Sequence, residues 1–442
     1  MAVPLLVRGA TILTLNAGFD IVEGDVLVVD GRIAAIGAVD APPFATTIEA
    51  NGDYLLPGFV QTHVHLCQTL FRGYADDLAL LDWLRTRVWP MEAAHTPRSL
   101  AAAARLAVAE LVRGGTTTVL TMETVHDTDA VFEAVEPTGL RAVIGKCMMD
   151  AAGADVPARL RERTTASLDE SAAVAARWHG RANGRLRAAL APRFAVSCSP
   201  ALLEGVADVS RQRGWLVHSH ASENRDEVAL VRARTGLGNI HYLASVGLAA
   251  PHVCLAHCVW VDEDERALLA RHDVKVLHCP GSNLKLGSGV APVTELRRLG
   301  VSVSLGADGA ACNNHLDMFA EMRLAATLQA VRLGPGALTA REAVAMATRE
   351  GARALGLADE IGTIEVGKRA DLVLVSRLGA HLAPDPDPWT TLVYAARSSD
   401  VRGVWVDGEP LVLDGQPTRW DPAAVAAEAG VEARALAGRA GL

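Results

Sequence analysis

Histidine side chains recur where apolar, strand-like runs of this sequence end. His63 and His65 close the run GFVQTHVH, and His220 closes WLVHSH, with Glu223 three residues later. Alternation along a strand puts residues i and i+2 on the same face, so both imidazoles of the first pair can bind one metal ion. A metal ion lowers the pKa of a water molecule that it binds, and a carboxylate placed like Glu223 can take and return the proton. The spacing therefore indicates hydrolytic metal chemistry.

Two further strand ends carry side chains of the same kind. His257 ends the run VCLAH, and Asp308 follows VSVSLGA. Residue types alone leave the ligand set open, because His218 could compete with His220, any of the histidines could be a satisfied core residue, and Asp308 could be a helix N-cap. Three histidines and one carboxylate with a position left for water are nevertheless typical of catalytic metal sites. A set spread over four strand ends favours the metal site.

The elements that would position these side chains form a repeating pattern. Between residues 57 and 358, about eight short apolar runs alternate with longer helical stretches, which predicts an α/β fold, namely a (β/α)8 TIM barrel rather than an open doubly wound sheet. Residues 1–56 and 359–442 have β texture with Asp-Gly hairpin signals, and the chain ends in a helical stretch. We expect both ends to form one smaller composite β-sandwich domain, with a terminal helix, beside the barrel.

Composition excludes several classes of function. The chain has 442 residues, of which 50% are hydrophobic and 21% charged, and its net charge is −9. It can bury a large core, and it lacks the excess of basic residues that is typical of a nucleic-acid-binding protein. The seven cysteines form no CxxC pair, and no signal peptide or membrane-spanning run is recognisable. We expect a reduced, cytoplasmic protein with no nucleic-acid or membrane partner.

At these motifs the sequence resembles the amidohydrolase superfamily, and within it the aminohydrolase branch of guanine deaminases, methylthioadenosine/S-adenosylhomocysteine deaminases and triazine hydrolases. The resemblance rests on LPGFVxTHxH, HxxE, AHC, SNLKLGSG and GADG and is nearly end to end. It implies the barrel with its composite β domain, one divalent metal, zinc or iron, and a homodimer. The metal ligands that it implies are His63, His65, His220 and Asp308.

The same resemblance implies catalytic roles. Glu223 matches the proton shuttle and His257 the group that orients or polarises the attacked site, while Asp308 also accepts a proton. Binuclear relatives carry a lysine on the fourth barrel strand, which here reads LRAALAPRF, so a single metal is expected. The residue set itself would also accept manganese.

Four residues are candidates for substrate contacts: Gln68, Glu92, Arg193 and Asn313. Gln68 and Arg193 match the positions that hold guanine in guanine deaminases, although Arg193 could equally form a structural ion pair. Glu92, in the motif WPME, matches a ribose contact of the nucleoside deaminases, but those enzymes carry histidine where this chain has Arg193. Asn313 lies in the loop AACNN, which departs from the guanine deaminase pattern.

We therefore expect a metal-dependent hydrolase of C–N bonds other than peptide bonds that deaminates a small heterocycle of the guanine, oxidised guanine or pterin type. The alternative is a methylthioadenosine/S-adenosylhomocysteine/adenosine-type nucleoside deaminase or a triazine hydrolase. Phe71, Trp83 and Trp89 could stack on a flat substrate or belong to the core. A third possibility is an inactive barrel kept as a scaffold, against which the intact set of metal-site residues argues.

Overall fold

The computed structural model of the protein describes residues 3–40, 42–151, 153 and 155–442. Within them the strands are β1 Leu5–Leu13, β2 Ile21–Val29, β3 Arg32–Gly37, β4 Thr46–Glu49, β5 Tyr54–Pro57, β6 Phe59–His65, β7 Thr116–Met122, β8 Arg141–Met148, β9 Leu186–Pro192, β10 Val217–Ala221, β11 Val253–His257, β12 Lys275–His278, β13 Val303–Leu305, β14 Asp308–Gly309, β15 Leu372–Val375, β16 Val401–Val406, β17 Glu409–Leu413 and β18 Gln416–Pro417.

The α-helices are α1 Leu80–Trp83, α2 Trp89–Ala93, α3 Pro97–Arg113, α4 Thr128–Val135, α5 Thr164–Trp178, α6 Pro200–Arg213, α7 Arg225–Thr235, α8 Asn239–Ser245, α9 Glu263–Arg271, α10 Pro280–Lys285, α11 Val293–Arg298, α12 Met318–Leu333, α13 Ala340–Ala347, α14 Arg349–Ala354, α15 Pro388–Thr390 and α16 Pro422–Ala440. A 3-10 segment, Leu66–Phe71, follows β6, and a π-helical turn, Leu84–Val88, joins α1 to α2.

Strands β6 to β14 form the predicted parallel barrel. They pair in chain order from β6 to β13, and β14, which continues β13 after two residues, pairs with β6 and closes the ring. Every residue of β6 and β7 is buried, as expected for parallel strands covered on one face by helices and on the other by the barrel interior. Helices lie between successive strands, so all the carboxyl ends of the strands meet at one face.

Helix α3 shows how local sequence fixes the long helix between the first two barrel strands. Thr96 caps its start by accepting a hydrogen bond from the Ser99 amide, Pro97 takes the first helical position, and the helix ends at Gly114. A threonine cap followed by proline is a favourable helix start, because the ring supplies the helical φ and needs no amide donor. The alanine-rich face of α3 then packs against the barrel core.

The two ends of the chain join in one nine-stranded sheet, as predicted. Its order is β18-β17-β16-β15-β5-β1-β2-β3, with β4 also paired to β1. Strand β5 pairs in parallel with β1 on one edge and antiparallel with β15 on the other. The sheet therefore holds together the two segments that enter and leave the barrel.

The terminal helix α16 lies against the barrel helix α3. Two ion pairs fix this contact, one between Arg98 and Glu432 at 2.8 Å and one between Arg105 and Glu428 at 2.7 Å. All seven cysteines are buried free thiols. Among the helices of the described ranges, none combines the length and the apolar character that crossing a membrane requires.

Candidate active site

Strand register brings the first three candidate ligands together. In β6, Val64 points into the hydrophobic core, so His63 and His65 face the barrel interior. The closing strand β14 places Asp308 opposite Val64, between the two histidines. Asp308 has a positive φ of 62°, a conformation that aspartate tolerates better than most residues.

The donor atoms of the four candidate metal ligands lie in one cluster, in which those of His63, His65 and His220 are within 4.8 Å of one another. Oδ1 of Asp308 lies 3.2 Å from Nε2 of His63 and 3.2 Å from Nε2 of His65, and Nε2 of His220 lies 3.3 Å from Nε2 of His65. Ligands about 2.0–2.1 Å from a tetrahedral zinc ion are about 3.3 Å apart. Moreover, Nε2 of His63 is buried without a hydrogen-bond partner within the described residues. The residues present therefore fit a single divalent metal.

The Nδ1 atoms of these histidines, which do not face the candidate metal position, contact other groups of the barrel. Nδ1 of His65 donates to the carbonyl of Met122 at 2.7 Å, and Nδ1 of His220 donates to the carbonyl of Arg193 at 2.6 Å. Nδ1 of His63 lies 2.6 Å from Nε2 of His218. Such contacts fix the tautomer and leave each Nε2 free for a metal. His218, which could have competed as a ligand, thus supports His63 instead.

Burial sets the protonation of the cluster. It lowers the pKa of His63 to about 4 and that of His220 well below its usual range, so both imidazoles stay neutral and can bind a metal. Burial opposes ionisation of Asp308, but the neighbouring His63 and His65 outweigh it and hold the pKa of that carboxyl well below its usual range. The site thus combines two neutral imidazoles with an ionised carboxylate, and although burial opposes it, the contact with Asp308 raises the pKa of the third histidine, His65.

Glu223 and His257 lie beside this cluster. Nε2 of His257 is 3.5 Å from Oε2 of Glu223 and 3.8 Å from Oδ2 of Asp308, and within the described residues it has no hydrogen-bond partner. Burial, with the nearby Asp308 carboxylate as a smaller cause, raises the pKa of Glu223 to about 7. A carboxyl with such a pKa can both hold and release a proton near neutral pH.

Three residues of the SNLKLGSG segment orient these groups. Nδ1 of His257 donates to Oδ1 of Asn283 at 2.9 Å, and the Ser282 hydroxyl donates to Oδ2 of Asp308 at 2.7 Å. The Ser288 hydroxyl lies 3.5 Å from Oε1 of Glu223. In the sequence analysis this segment served only as evidence of the family resemblance, and no role was predicted for it. Its two serines and one asparagine, which follow a strand end, could have indicated polar contacts to the site.

Gln68, Glu92 and Arg193 form one buried polar group. The Arg193 guanidinium donates to both oxygens of Glu92, at 2.6 and 3.1 Å, and Nε2 of Gln68 donates to Oε1 of Glu92 at 3.1 Å. The structural ion pair considered for Arg193 is therefore present. Gln68 and Arg193 also line the pocket above the cluster, whereas Glu92 lies behind them.

The structure does not bring Asn313 to this pocket. Its side-chain amide donates to the carbonyl of Ala307 and to Glu321, each at 2.8 Å. Asn313 therefore holds the loop after Asp308 in this structure, and its role as a substrate contact stays a prediction. Of the three aromatic residues considered for stacking, Trp83 lines the pocket, while Phe71 and Trp89 lie in the core.

The pocket encloses about 380 Å³ of space not filled by protein atoms, part of it open to solvent. The lining residues are His65, Gln68, Leu80, Trp83, Leu84, Arg193, Phe194, His220, Glu223, His257, Leu286 and Asp308. Metal-site residues and apolar side chains thus face the same cavity.

Comparisons with known proteins agree with this arrangement. A family model described as the amidohydrolase family matches residues 54–411. The chain is 43% identical over 414 residues to a 5'-deoxyadenosine deaminase of Methanothermobacter thermautotrophicus, covering 93% of this chain and 94% of that one. It is 40% identical over 418 residues to a 5-methylthioadenosine/S-adenosylhomocysteine deaminase of Symbiobacterium thermophilum, with 93% and 94% covered.

Among solved structures, an adenosine deaminase from Xanthomonas campestris with bound zinc superimposes with a TM-score of 0.92, 34% identity and 98% of both chains covered. These relatives do not support the guanine-type substrate that the sequence reasoning favoured, and they fit the nucleoside alternative better. The Gln68 and Arg193 matches misled because neither residue type is specific for a free base.

Proposed function

The chain belongs to the amidohydrolase family and is a metal-dependent aminohydrolase, and on that premise we propose that its substrate is an adenosine-type nucleoside. Hydrolytic deamination would replace the 6-amino group of the adenine ring by a carbonyl oxygen and release ammonia. The observation that carries the proposal is the cluster of His63, His65, His220 and Asp308, in which each ligand atom lies within 3.3 Å of another, with Glu223 beside His257. The names of the relatives at 40% identity or more support the adenosine-type ring.

We assign the metal to the four ligands named above, and zinc is the ion that we propose, since the structurally similar adenosine deaminase holds zinc. When bound, a divalent cation supplies a water molecule of lowered pKa as the nucleophile. Asp308 is fixed to receive a proton from it, because the Ser282 hydroxyl and the Gly309 amide hold the carboxylate at 2.7 and 2.8 Å.

Glu223 is assigned the proton transfer to the ring nitrogen next to the attacked carbon. Its pKa of about 7 would let the carboxyl give a proton to that nitrogen and then take back the proton of the hydroxyl group added at the attacked carbon. The proton held by Asp308 would pass to the amine, which leaves as ammonia. His257, with Nδ1 held by Asn283, keeps Nε2 directed at the reacting groups. Gln68 and Arg193 border the ring, and the Glu92 pair holds them in place.

A substrate panel tests the proposal. Zinc-loaded protein is incubated separately with 5'-deoxyadenosine, methylthioadenosine, adenosine, guanine and a pterin, and ammonia release is measured. We expect turnover of the adenine nucleosides and none of guanine or pterin. Deamination of guanine without deamination of any adenine nucleoside would overturn the proposal.

A further inference from the structure

A buried carboxyl lies close to the metal site but outside the pocket. Glu321, in the first turn of α12, has no exposed surface, and it is not among the described residues that line the pocket. Burial raises the pKa of this carboxyl to about 7, so its charged form opposes folding at higher pH. A buried group of this kind needs hydrogen-bond donors, and its donors identify the segments that it holds.

The two oxygens of Glu321 bind two different segments. Oε2 accepts a hydrogen bond from the Gly281 amide at 3.0 Å, and Oε1 accepts one from Nδ2 of Asn313 at 2.8 Å. Gly281 lies in the first turn of α10, where backbone amides have no partner within the helix. The approach is so close that a Cβ atom on Gly281 would lie 2.6 Å from Oε1 of Glu321. Glu321 thus joins α10 to the loop after Asp308.

Each of these two segments also holds Asp308. From α10, the Ser282 hydroxyl donates to Oδ2 of Asp308 at 2.7 Å. From the loop, Nδ2 of Asn313 donates a second hydrogen bond, at 2.8 Å, to the carbonyl of Ala307, the residue before Asp308. Ser282 and Asp308 are 26 positions apart, and Glu321 links the segments on which they lie. The orientation of the Asp308 carboxylate therefore depends on a residue that does not touch it.

We propose that Glu321 is a positioning residue of the metal site, which fixes the Asp308 carboxylate for the metal by holding Ser282 and Asn313 in place. The inference rests on the proposed function, namely on its metal site, but not on the nucleoside substrate. Replacing a group that orients a metal ligand typically lowers metal affinity or activity by about 10- to 100-fold. A group that only stabilised the fold would change the free energy of unfolding and leave the metal affinity of the folded protein unchanged.

The test measures zinc binding by the full-length Glu321→Gln protein in competition with a chelator. Glutamine keeps the size of the side chain, but its NH2 group cannot accept the hydrogen bond of whichever donor faces it, Gly281 or Asn313. We expect the dissociation constant for zinc to rise by about 10-fold or more. In the zinc-loaded variant, kcat for ammonia release should fall while KM is unchanged, because Glu321 does not contact the substrate.

Glu265→Gln is the matched control. Glu265 is also buried, and its carboxylate accepts hydrogen bonds from two backbone amides, those of Ile240 at 3.0 Å and Asp262 at 3.2 Å. It lies in α9, outside the pocket lining and the ligand cluster, so zinc affinity should stay at the wild-type value. An unchanged zinc dissociation constant in folded Glu321→Gln, or an equal rise in Glu265→Gln, would overturn the inference.

Two further variants test the contacts through which Glu321 acts. Ser282→Ala removes the hydroxyl on the α10 side, and Asn313→Ala removes the donor on the loop side; each should weaken zinc binding by about 10-fold. Combining Glu321→Gln with Ser282→Ala should weaken it by clearly less than the product of the two single effects, since both act on the same hydrogen bond to Asp308. Effects that multiply fully would contradict this path.

The remaining outcomes separate the inference from the proposed function. Zinc affinity is measured without substrate, so a substrate contact of Asn313 cannot produce the expected loss. If Glu321→Gln does not fold, unchanged zinc affinity in both Ser282→Ala and Asn313→Ala would overturn the inference. Wild-type protein that binds no zinc would overturn the inference and the proposed function together. The expected zinc affinities without deamination of any adenine nucleoside would overturn the proposed substrate and support the role of Glu321.

Discussion

Replacing Arg193 by methionine should destabilise the protein far more than the loss of an ordinary surface pair. Glu92 and Arg193 are joined by two hydrogen bonds of 2.6 and 3.1 Å, and their side chains are 1% and 5% exposed. The substitution leaves the Glu92 carboxylate buried with one remaining donor, Nε2 of Gln68. Breaking a buried pair in this way costs about 3–5 kcal/mol of unfolding free energy.

Urea unfolding of the variants provides the measurement. Arg8→Met is the matched control, because Arg8 pairs with Glu49 at 2.9 Å but both side chains are about half exposed. Its expected cost is below about 1 kcal/mol. The double variant Arg193→Met/Glu92→Gln should recover part of the loss, since no uncompensated charge then remains. If Arg193→Met costs no more than Arg8→Met, the buried pair does not have the energetic role derived from its geometry.

Three further outcomes are expected. Glu223→Gln should lower kcat by about 10²- to 10⁴-fold while metal analysis still finds one equivalent bound, because the amide cannot transfer the proton; undiminished turnover would exclude its role. Removal of the metal with a chelator should abolish ammonia release and zinc should restore it, whereas full activity without metal would contradict the assigned chemistry. Burial lowers the pKa of His95 to about 3 from its usual 6.5, so the unfolded chain binds a proton that the folded chain does not. Stability contributed by neutral His95 should therefore fall as pH drops from about 6.5 toward 3, by up to about 1.4 kcal/mol per pH unit. His95→Gln should reduce the pH slope of the urea-unfolding free energy by up to that amount, and an unchanged slope would refute the assignment.

Periodicity made the barrel predictable and placed the histidines and Asp308 at strand ends on one face. The choice of metal ligands among these residues came from the resemblance to a known family. The pairing of Asp308 with Val64 across the closing seam then follows from the geometry of a closed ring. These rules depend only on neighbouring residues or on the topology of the fold, so they can be applied to a single sequence.

Side-chain partners between distant segments were not predictable in the same way. Glu92 and Arg193 lie 101 positions apart, and residue type fits a substrate contact and an ion pair equally well. The partner of Asn313 was not predictable for a related reason, since the loop turns its amide toward Glu321. The substrate class depends on which hydrogen-bonding groups of such residues face the pocket. Strand periodicity contains no information about the partners of these side chains.

The antiparallel pairing of β5 with β15 has a consequence for the growing chain. Pro57 pairs with Leu372, 315 positions later, and at about 5–20 residues per second a ribosome needs roughly 16–63 s to make the intervening chain. During that interval the β5 edge has no partner, and an unpaired strand edge is a template for incorrect association. Nascent chains that stall within the barrel should therefore depend on chaperones until the last strands emerge.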